Sequence, residues 1–263
     1  MLDFQSQPPM WCPPLTTFRI CIFSYNICLP IISHPLKDIH GQAIVDYYQG
    51  KAYSPLMLHT SYGSSEEMPV EVFFREEEDL SVLDLLALIE CKGKVLDLGA
   101  GAGVHSLILA SRGFDVYALE NSPGCVEVMK QSGVGQVISE DYRTHRGKYD
   151  TVLMLMNGLG LAGELAGVKP LLERCMKLLK KGGQILVDSS DIGYLYELSI
   201  PKPEGYYGEI SFQYEYKGEK GDWFDWVYVD QDTLARIVAE MGLTVEILHT
   251  DESDQYLARI TKR

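Results

Sequence analysis

The chain has 263 residues, of which 46% are hydrophobic and 23% are charged, an ordinary composition for one large globular domain. The formal net charge of −14 opposes binding to a phosphate backbone, and no cluster of lysine and arginine forms a basic groove. This argues against a nucleic-acid substrate. The six cysteines include no CxxC pair and no zinc-finger spacing to a histidine. We therefore expect reduced thiols, no bound metal and a cytoplasmic protein.

Residues 1–37 differ in composition from the rest of the chain, because they hold six of the twelve prolines and three of the six cysteines. The apolar stretch at 20–32 is interrupted by polar residues and Pro30, so it is too short and too polar for a membrane helix. It is preceded by a single basic residue, Arg19, which is weak for a secretory signal. We predict a poorly ordered leader over 1–37 and a folded domain over 38–263, with no membrane partner and with secretion as the open alternative.

From residue 38 onwards, helix-like and strand-like patterns of hydrophobic residues alternate. Capping residues and apolar periodicity predict helices over 38–50, 76–89, 104–111, 123–131, 168–179 and 232–241. Short apolar runs predict strands over 94–98, 115–119, 136–138, 151–156, 184–187, 243–248 and 255–260. A polar loop is predicted up to about residue 68. This alternation predicts an α/β fold, in which a mostly parallel sheet is covered by helices on both faces.

An aromatic β-hairpin interrupts the alternation between the fifth strand and the last helix. Apolar and polar residues alternate from Ile210 to Tyr216, a turn is predicted at 218–221, and an extended segment follows. The predicted insertion covers 206–229. Its aromatic side chains either pack on the domain or form a lid over a substrate, and both interpretations stay open. The candidate substrate contacts of such a lid are Tyr206, Tyr207 and Trp223.

A glycine-rich segment, KVLDLGAGAG at 94–103, lies where a strand ends and a helix begins. Its glycines allow a sharp turn and a close approach of a ligand, and the helix that follows offers free N–H groups. The next strand ends in Glu120, whose carboxylate can accept hydrogen bonds from both hydroxyls of a ribose. The candidate binding residues in the segment are Asp97, Gly99, Gly101 and Gly103.

A nicotinamide dinucleotide is the alternative ligand for such a loop. Its GxGxxG fingerprint requires a third glycine, but Val104 or Ser106 stands at that position, depending on which glycine is counted first. Asp97 would also face the negative charge of a pyrophosphate. S-adenosylmethionine (SAM) presents an ammonium and a sulfonium instead, so the loop favours SAM.

The glycine-rich segment resembles motif I of the class I SAM-dependent methyltransferases, and the chain from residue 38 is similar to a bacterial branch of them. The resemblance implies a Rossmann-like three-layer sandwich with a seven-stranded, mostly parallel sheet in the order 3-2-1-4-5-7-6. It also implies that Glu120 binds the ribose and that Asp141 contacts the adenine amino group. Asn157, at the end of the fourth strand, is expected beside the transferred methyl group.

Methyl transfer depends chiefly on placing the acceptor, because the sulfonium is already activated. A base is needed only where the acceptor atom carries a proton. The sequence therefore fixes no catalytic residue, and the candidates are His105, Asn157 and Asp188. Each also has a structural interpretation, as a packed histidine, a turn residue and a loop cap respectively.

The substrate class follows from what the sequence lacks. No Asn/Asp-Pro-Pro-Tyr segment of amino-methylating DNA enzymes follows the fourth strand, and no Pro-Cys pair of pyrimidine C5 methylases occurs. With the acidic composition, this favours SAM-dependent methyl transfer to nitrogen or oxygen of a small-molecule substrate. The alternatives are a SAM-binding protein without methyl transfer and a nicotinamide-dependent dehydrogenase.

Overall fold

The structure is a computed structural model that describes residues 37–63, 65–197 and 201–263. The predicted leader therefore lies outside the described residues, except for Lys37. The helices are α1 (Ile39–Tyr48), α2 (Val82–Glu90), α3 (Val104–Ser111), α4 (Pro123–Gln131), α5 (Leu165–Leu178) and α6 (Gln231–Glu240). Short 3₁₀ helices cover Val70–Phe74, Glu77–Asp79, Gly158–Ala162 and Gly193–Tyr196. Within the described ranges, no helix is both long enough and apolar enough to span a membrane.

The strands form two sheets. Their bounds are β1 (Leu56–Thr60), β2 (Ser65–Met68), β3 (Lys94–Leu98), β4 (Asp115–Glu120), β5 (Val137–Ser139), β6 (Tyr149–Met154), β7 (Leu179–Ser190), β8 (Glu209–Tyr216), β9 (Glu219–Val227), β10 (Leu243–Thr250) and β11 (Gln255–Lys262). The larger sheet has the order β10-β11-β7-β6-β3-β4-β5. Its strands run parallel from β7 to β5, whereas β11 is antiparallel to both of its neighbours. When the seven strands of this sheet alone are numbered along the chain and read from β5 to β10, their order is 3-2-1-4-5-7-6. The predicted order is therefore confirmed.

Helices cover both faces of the larger sheet because its central strands are apolar on both sides. Val152, Leu153 and Met154 are consecutive residues of β6, and all three are fully buried. Val152 and Met154 pack in a cluster with buried residues of α5 and α6, whereas Leu153 packs with buried residues of α2 and α3. The predicted three-layer sandwich is therefore confirmed. Because β3, β4, β6 and β7 are parallel, the loops after them lie along one edge, where ligands bind in such sheets.

The smaller sheet joins the predicted hairpin to two strands that the sequence analysis missed. Its order is β2-β1-β8-β9, and each neighbouring pair is antiparallel. The prediction of a polar loop up to residue 68 was therefore wrong. The reason is that β1 is paired with β8, a strand far along the chain, and β2 is a mostly exposed edge strand. Neither feature produces a clear local pattern.

Several predicted element boundaries also differ from the structure: α5 begins three residues earlier than predicted, and β7 is longer at both ends than the predicted 184–187. The hairpin turns at Lys217 and Gly218, whose φ angles of +52° and +78° suit a two-residue turn between twisted strands, and not at 218–221. The second predicted helix begins at Val82 and not at residue 76. The Ser81 side chain accepts a hydrogen bond from the backbone of Asp84 and so caps the helix there.

Helix α1 is fixed to the start of α4 by Asp38. The Asp38 carboxylate accepts hydrogen bonds from the backbone N–H of Gly41 at 2.9 Å, of Gly124 at 2.8 Å, and from the Ser122 hydroxyl. The two helices also meet through glycine, because a Cβ on Gly124 would lie 2.4 Å from the carbonyl oxygen of Gly41. Side chains at this contact would push the helices apart, so the glycine allows α1 to lie directly on α4.

A second anchor, Asp46 on α1, holds the tip of the hairpin. Its buried carboxylate accepts hydrogen bonds from Lys217 at 2.6 Å, Lys51 at 2.7 Å and Tyr216 at 3.3 Å. Burial alone would raise the pKa of Asp46, but the hydrogen bonds from Lys217, Lys51 and Gln42 outweigh it and hold the pKa at about 2. The ionised carboxylate therefore connects the smaller sheet to α1.

We expect Asp46→Asn to destabilise the protein at pH 7 by about 1 kcal/mol or more. Hydrogen bonds to a charged group typically contribute about 1.5–3 kcal/mol, and solvent screening at the half-exposed lysines reduces this. Because the folded pKa lies below the unfolded value, the contribution is complete above about pH 4 and is lost as the pH falls towards about 2. Urea unfolding at pH 7 and at pH 3 measures the difference, which should be smaller at pH 3. A difference that does not change with pH would contradict the ionic anchor.

Candidate active site

The glycine-rich turn between β3 and α3 is held against the end of β4. The backbone N–H groups of Gly99 and Ala100 both donate to the carbonyl oxygen of Leu119, at 2.9 and 3.1 Å. Gly103 has a φ of +89°, and a Cβ there would lie 2.8 Å from the Met129 side chain. The turn therefore requires glycine for both conformation and space.

Glu120 lies beside this turn at the end of β4. One carboxylate oxygen accepts the N–H of Gly101 at 2.9 Å, and the other accepts the N–H groups of Asn121 and Ser122 at 2.8 and 2.9 Å. Burial raises the pKa of Glu120, although these N–H groups oppose the shift. The acid predicted to bind ribose and the predicted glycine loop are thus in direct contact.

Asp97 lies beneath the loop and is 2% exposed. Its carboxylate accepts a hydrogen bond from the Ser106 hydroxyl at 2.7 Å, which ties the end of β3 to α3. Burial raises the pKa of Asp97, partly offset by the nearby His105 and by Ser106. The described contact is internal to the protein, so a direct contact of Asp97 with the ligand stays a prediction.

His105, the first candidate catalytic residue, is also buried below the loop. Its Nε2 lies 3.2 Å from a carboxylate oxygen of Asp84, whose other oxygen accepts Arg75 Nη1 at 3.0 Å. Burial acts to raise the pKa of Asp84, but the hydrogen bond and charge of His105 and the charge of Arg75 hold it at about 2. These contacts support the structural interpretation of His105, as part of a buried ion-pair network under α3.

Asn157 and Asp188 are brought together at the ends of β6 and β7. The Asp188 carboxylate accepts the backbone N–H of Asn157 at 2.9 Å, of Gly158 at 2.8 Å, and the side chain of Gln255. Burial raises the pKa of Asp188 to about 6, although these hydrogen bonds oppose the shift. Asn157 has a φ of +59°, and its side-chain oxygen accepts the Ser190 hydroxyl. Asp188 therefore holds the left-handed turn in which Asn157 stands.

Asp141 follows β5, as predicted, on the same edge of the sheet. Its carboxylate is paired with Arg143 at 2.6 Å, and the hydrogen bond from this guanidinium lowers the pKa of Asp141. The Asp141 side chain is 37% exposed, so it is open to solvent on one side. Contact with an adenine stays a prediction for this residue.

The hairpin lies over the turn that follows β6. A Cβ on Gly160 would stand 1.9 Å from the Trp226 indole, so the ring of Trp226 rests on this glycine. The Tyr206 hydroxyl donates to Asp230 at 2.6 Å. The Tyr207 hydroxyl donates to Asp191 at 2.7 Å.

Trp223, the third predicted substrate contact, is not brought to this place. It is 53% exposed and alternates along β9 with Phe224 and Trp226, so it belongs to the other face of the strand. The sequence analysis missed Phe73, which covers the glycine turn: a Cβ on Gly101 would meet its ring at 3.6 Å. Phe73 lies in a short 3₁₀ helix, for which the sequence has no distinctive periodicity.

Comparisons with known proteins agree with this geometry. The family described as a methyltransferase domain matches residues 95–183. A SAM-dependent methyltransferase from Bacteroides fragilis, solved in complex with S-adenosyl-L-homocysteine, is 38% identical with a TM-score of 0.78, over 86% of this chain and 95% of that chain. The chain belongs to the class I SAM-dependent methyltransferases. It is therefore an enzyme of this superfamily, and SAM is its cofactor.

Two further relatives show how far the similarity extends. The CcbJ methyltransferase from Streptomyces caelestis is 15% identical with a TM-score of 0.56, over 68% of this chain and 88% of that chain, and shares the fold. A cypemycin N-terminal methyltransferase from Streptomyces sp is 32% identical over 102 residues, which are 37% of this chain. That match spans 42% of the relative's length.

The residues at this methyltransferase site fit SAM. The turn at Gly99 and Gly101 presents backbone without a Cβ, and Glu120 offers carboxylate oxygens next to it. When bound, SAM supplies a methyl group on a positively charged sulfur, which is activated for transfer. Glu120 would hold the ribose of the bound cofactor, and the turn at Asn157 lies at the same edge of the sheet.

We expect Glu120→Ala to lower the affinity for S-adenosylhomocysteine about tenfold or more. A hydrogen bond to a charged group contributes about 1.5–3 kcal/mol, and alanine removes the acceptor. Glu120→Gln keeps one acceptor oxygen and should lose less. Calorimetric titration, with thermal unfolding of each variant as the control for folding, measures this. Unchanged affinity in a folded Glu120→Ala protein would show that the acid only supports the loop.

Proposed function

We propose that this methyltransferase transfers the methyl group of SAM to nitrogen or oxygen of a small-molecule acceptor. The observation that carries the proposal is the position of the hairpin, whose Trp226 lies directly on Gly160 in the turn after β6. The expected place of the transferred methyl group, beside Asn157, is therefore roofed by a sheet of aromatic side chains. A roof of this kind excludes water and limits the size of the acceptor.

The polar groups near the roof indicate which acceptors are favoured. Asp191 follows β7, and its carboxylate accepts the Tyr207 hydroxyl and the backbone N–H of Gly193. Aromatic rings and carboxylates together favour amines and hydroxyls over anionic groups. The net charge of −14 acts in the same direction. The cypemycin relative, named as an N-terminal methyltransferase, also supports nitrogen as the acceptor atom.

In this proposal, the chain acts mainly by placement. Asp188 holds the backbone of Asn157 and Gly158 through two hydrogen bonds, and so fixes the turn on which the acceptor rests. Asp188 is thus a positioning residue, since it acts through the backbone of Asn157 and Gly158. Holding an acceptor in line with the sulfonium lowers the barrier because the reacting atoms no longer have to find each other in solution.

The proposed activity predicts methylated products. The protein is incubated with SAM and a library of amines and hydroxylated metabolites, and products are read by mass spectrometry as compounds heavier by one methylene. We expect turnover with at least one amine or alcohol, because the aromatic roof limits the size of the acceptor group that reaches the site. Tight S-adenosylhomocysteine binding without turnover of any member would instead favour a SAM-binding protein that transfers no methyl group.

The roof predicts a difference between two tryptophans of the same strand. We expect Trp226→Phe to lower kcat/KM for the acceptor roughly tenfold, about 1.4 kcal/mol, because the smaller ring leaves Gly160 uncovered. Trp223→Phe, on the exposed face, is the matched comparison and should change kcat/KM much less. S-adenosylhomocysteine affinity, measured in both variants, should stay near the wild-type value. Equal losses in the two variants would mean that the hairpin is not the roof of the acceptor site.

A further inference from the structure

Three side chains from separate elements form a layer that we call the aromatic cap: His40 on the first turn of α1, Phe73 at the end of the first 3₁₀ helix, and Tyr214 on β8. The His40 ring is stacked on Tyr214, with centroids 5.2 Å apart and an interplanar angle of 27°. It meets Phe73 edge to face at 4.9 Å and 71°. The cap is therefore a packed unit with the imidazole in its middle.

The cap lies over the two backbone segments that hold Glu120. Phe73 covers Gly101, whose N–H donates to one Glu120 oxygen. His40 Nδ1 lies 3.7 Å from the sulfur of Cys125, which stands on the first turn of α4, just after the segment that donates to the other Glu120 oxygen. The imidazole is thus on the side of the cofactor site where the ribose is expected.

The two nitrogens of His40 have different surroundings. Nδ1 faces the Cys125 thiol, whereas Nε2 is buried and has no hydrogen-bond partner among the described residues. A buried polar atom without a partner costs free energy, and nearly all such atoms in native proteins are paired. In the part of the chain that the structure describes, two more buried side-chain atoms lack a partner, one in Arg174 and one in Arg259, and both belong to guanidinium groups that make hydrogen bonds through other nitrogens. Among the described residues, the hydrogen-bond contact of the His40 ring is that of Nδ1 with the Cys125 thiol at 3.7 Å, and a thiol is a weak partner.

The imidazole is neutral at physiological pH, because burial lowers the pKa of His40 to about 4, against the opposing charge of Asp38. A neutral imidazole carries one N–H donor and one acceptor nitrogen. Either form of Nε2 pairs with a hydroxyl, because a hydroxyl both donates and accepts.

We propose that His40 is a cofactor ligand, whose Nε2 forms a hydrogen bond with a ribose hydroxyl of SAM on the cap side of the site held by Glu120. The unpaired nitrogen, the covered glycine turn and the neutral ring carry this assignment. It rests on SAM being the cofactor. The cap would then do two things at once, covering the ribose with aromatic surface and supplying a hydrogen bond through Nε2, for which the described residues offer no partner.

The test separates the nitrogen from the ring. His40→Phe keeps an aromatic ring in the cap but removes the nitrogen, whereas His40→Gln removes the ring but places an amide near the position of Nε2. Calorimetry with S-adenosylhomocysteine and thermal unfolding of the free protein are measured for both, with His249→Phe on β10 as a control at the far edge of the sheet.

We expect His40→Phe to bind S-adenosylhomocysteine roughly five- to tenfold more weakly while its unfolding midpoint is unchanged or higher, since a buried unpaired atom is removed. His40→Gln should bind within about threefold of wild type even where its midpoint falls. If His40 has only a structural role, affinity should follow stability, and His40→Gln should then bind S-adenosylhomocysteine more weakly than His40→Phe. That order, or wild-type affinity in His40→Phe, overturns the proposal.

A second measurement identifies the hydroxyl. Removing the 2′- or the 3′-hydroxyl from S-adenosylhomocysteine should weaken binding to wild type, and one of the two losses should be smaller in His40→Phe. Equal losses in both proteins for both analogues also overturn the proposal. Absence of S-adenosylhomocysteine binding to wild type would overturn the cofactor assignment itself, so the two failures are distinguishable.

Discussion

The Glu120 carboxylate is the centre on which the ligand edge of this fold depends. One carboxylate oxygen accepts the N–H of Gly101 in the glycine turn, and the other accepts the N–H groups of Asn121 and Ser122 in the loop between β4 and α4. One anion therefore holds both the loop after β3 and the loop after β4. Backbone N–H groups at such a place otherwise need water or a ligand. Because Ser122, in the same loop, also donates to Asp38, the position of α1 and of the cap above it follows from this loop.

Acidic residues around the ligand edge are mostly used to hold loops. Asp97 fixes α3 through Ser106, Asp84 pairs with His105 and Arg75, and Asp188 holds the turn after β6. The pKa of Asp84 is lowered because it faces two basic groups, whereas burial raises the pKa values of Asp97 and Asp188, which are bonded to neutral groups. A buried acid near a cofactor is therefore not by itself a catalytic group.

The sequence predicted those features that depend on neighbouring residues. Local patterns predicted the alternation of strands and helices and the glycine turn, whereas the sheet order was what the resemblance to one superfamily implied. The sequence did not predict β1 and β2, because their pairing partner β8 lies in the hairpin, far along the chain. For the same reason it left His105 and Asp188 open as catalytic candidates: Asp84 and Gln255, which bond them, come from distant elements.

The sequence could not indicate the proposed role of His40 either, since a histidine in a short amphipathic helix carries no signal of function. Its environment is formed by Phe73, by Tyr214 and by Cys125, which three separate parts of the fold bring together. An unpaired nitrogen becomes visible only once those partners are placed. The observation therefore needed the structure, whereas the glycine turn did not.

The smaller sheet physically joins the two halves of the ligand site. Tyr214 on β8 belongs to the cap over the glycine turn, and it stacks on Phe224 of β9 at 5.1 Å, two residues from Trp226 on Gly160. Asp46 ties the tip of this hairpin to α1, which carries His40. The same sheet therefore connects α1, which carries His40, with the ring that packs on the turn after β6.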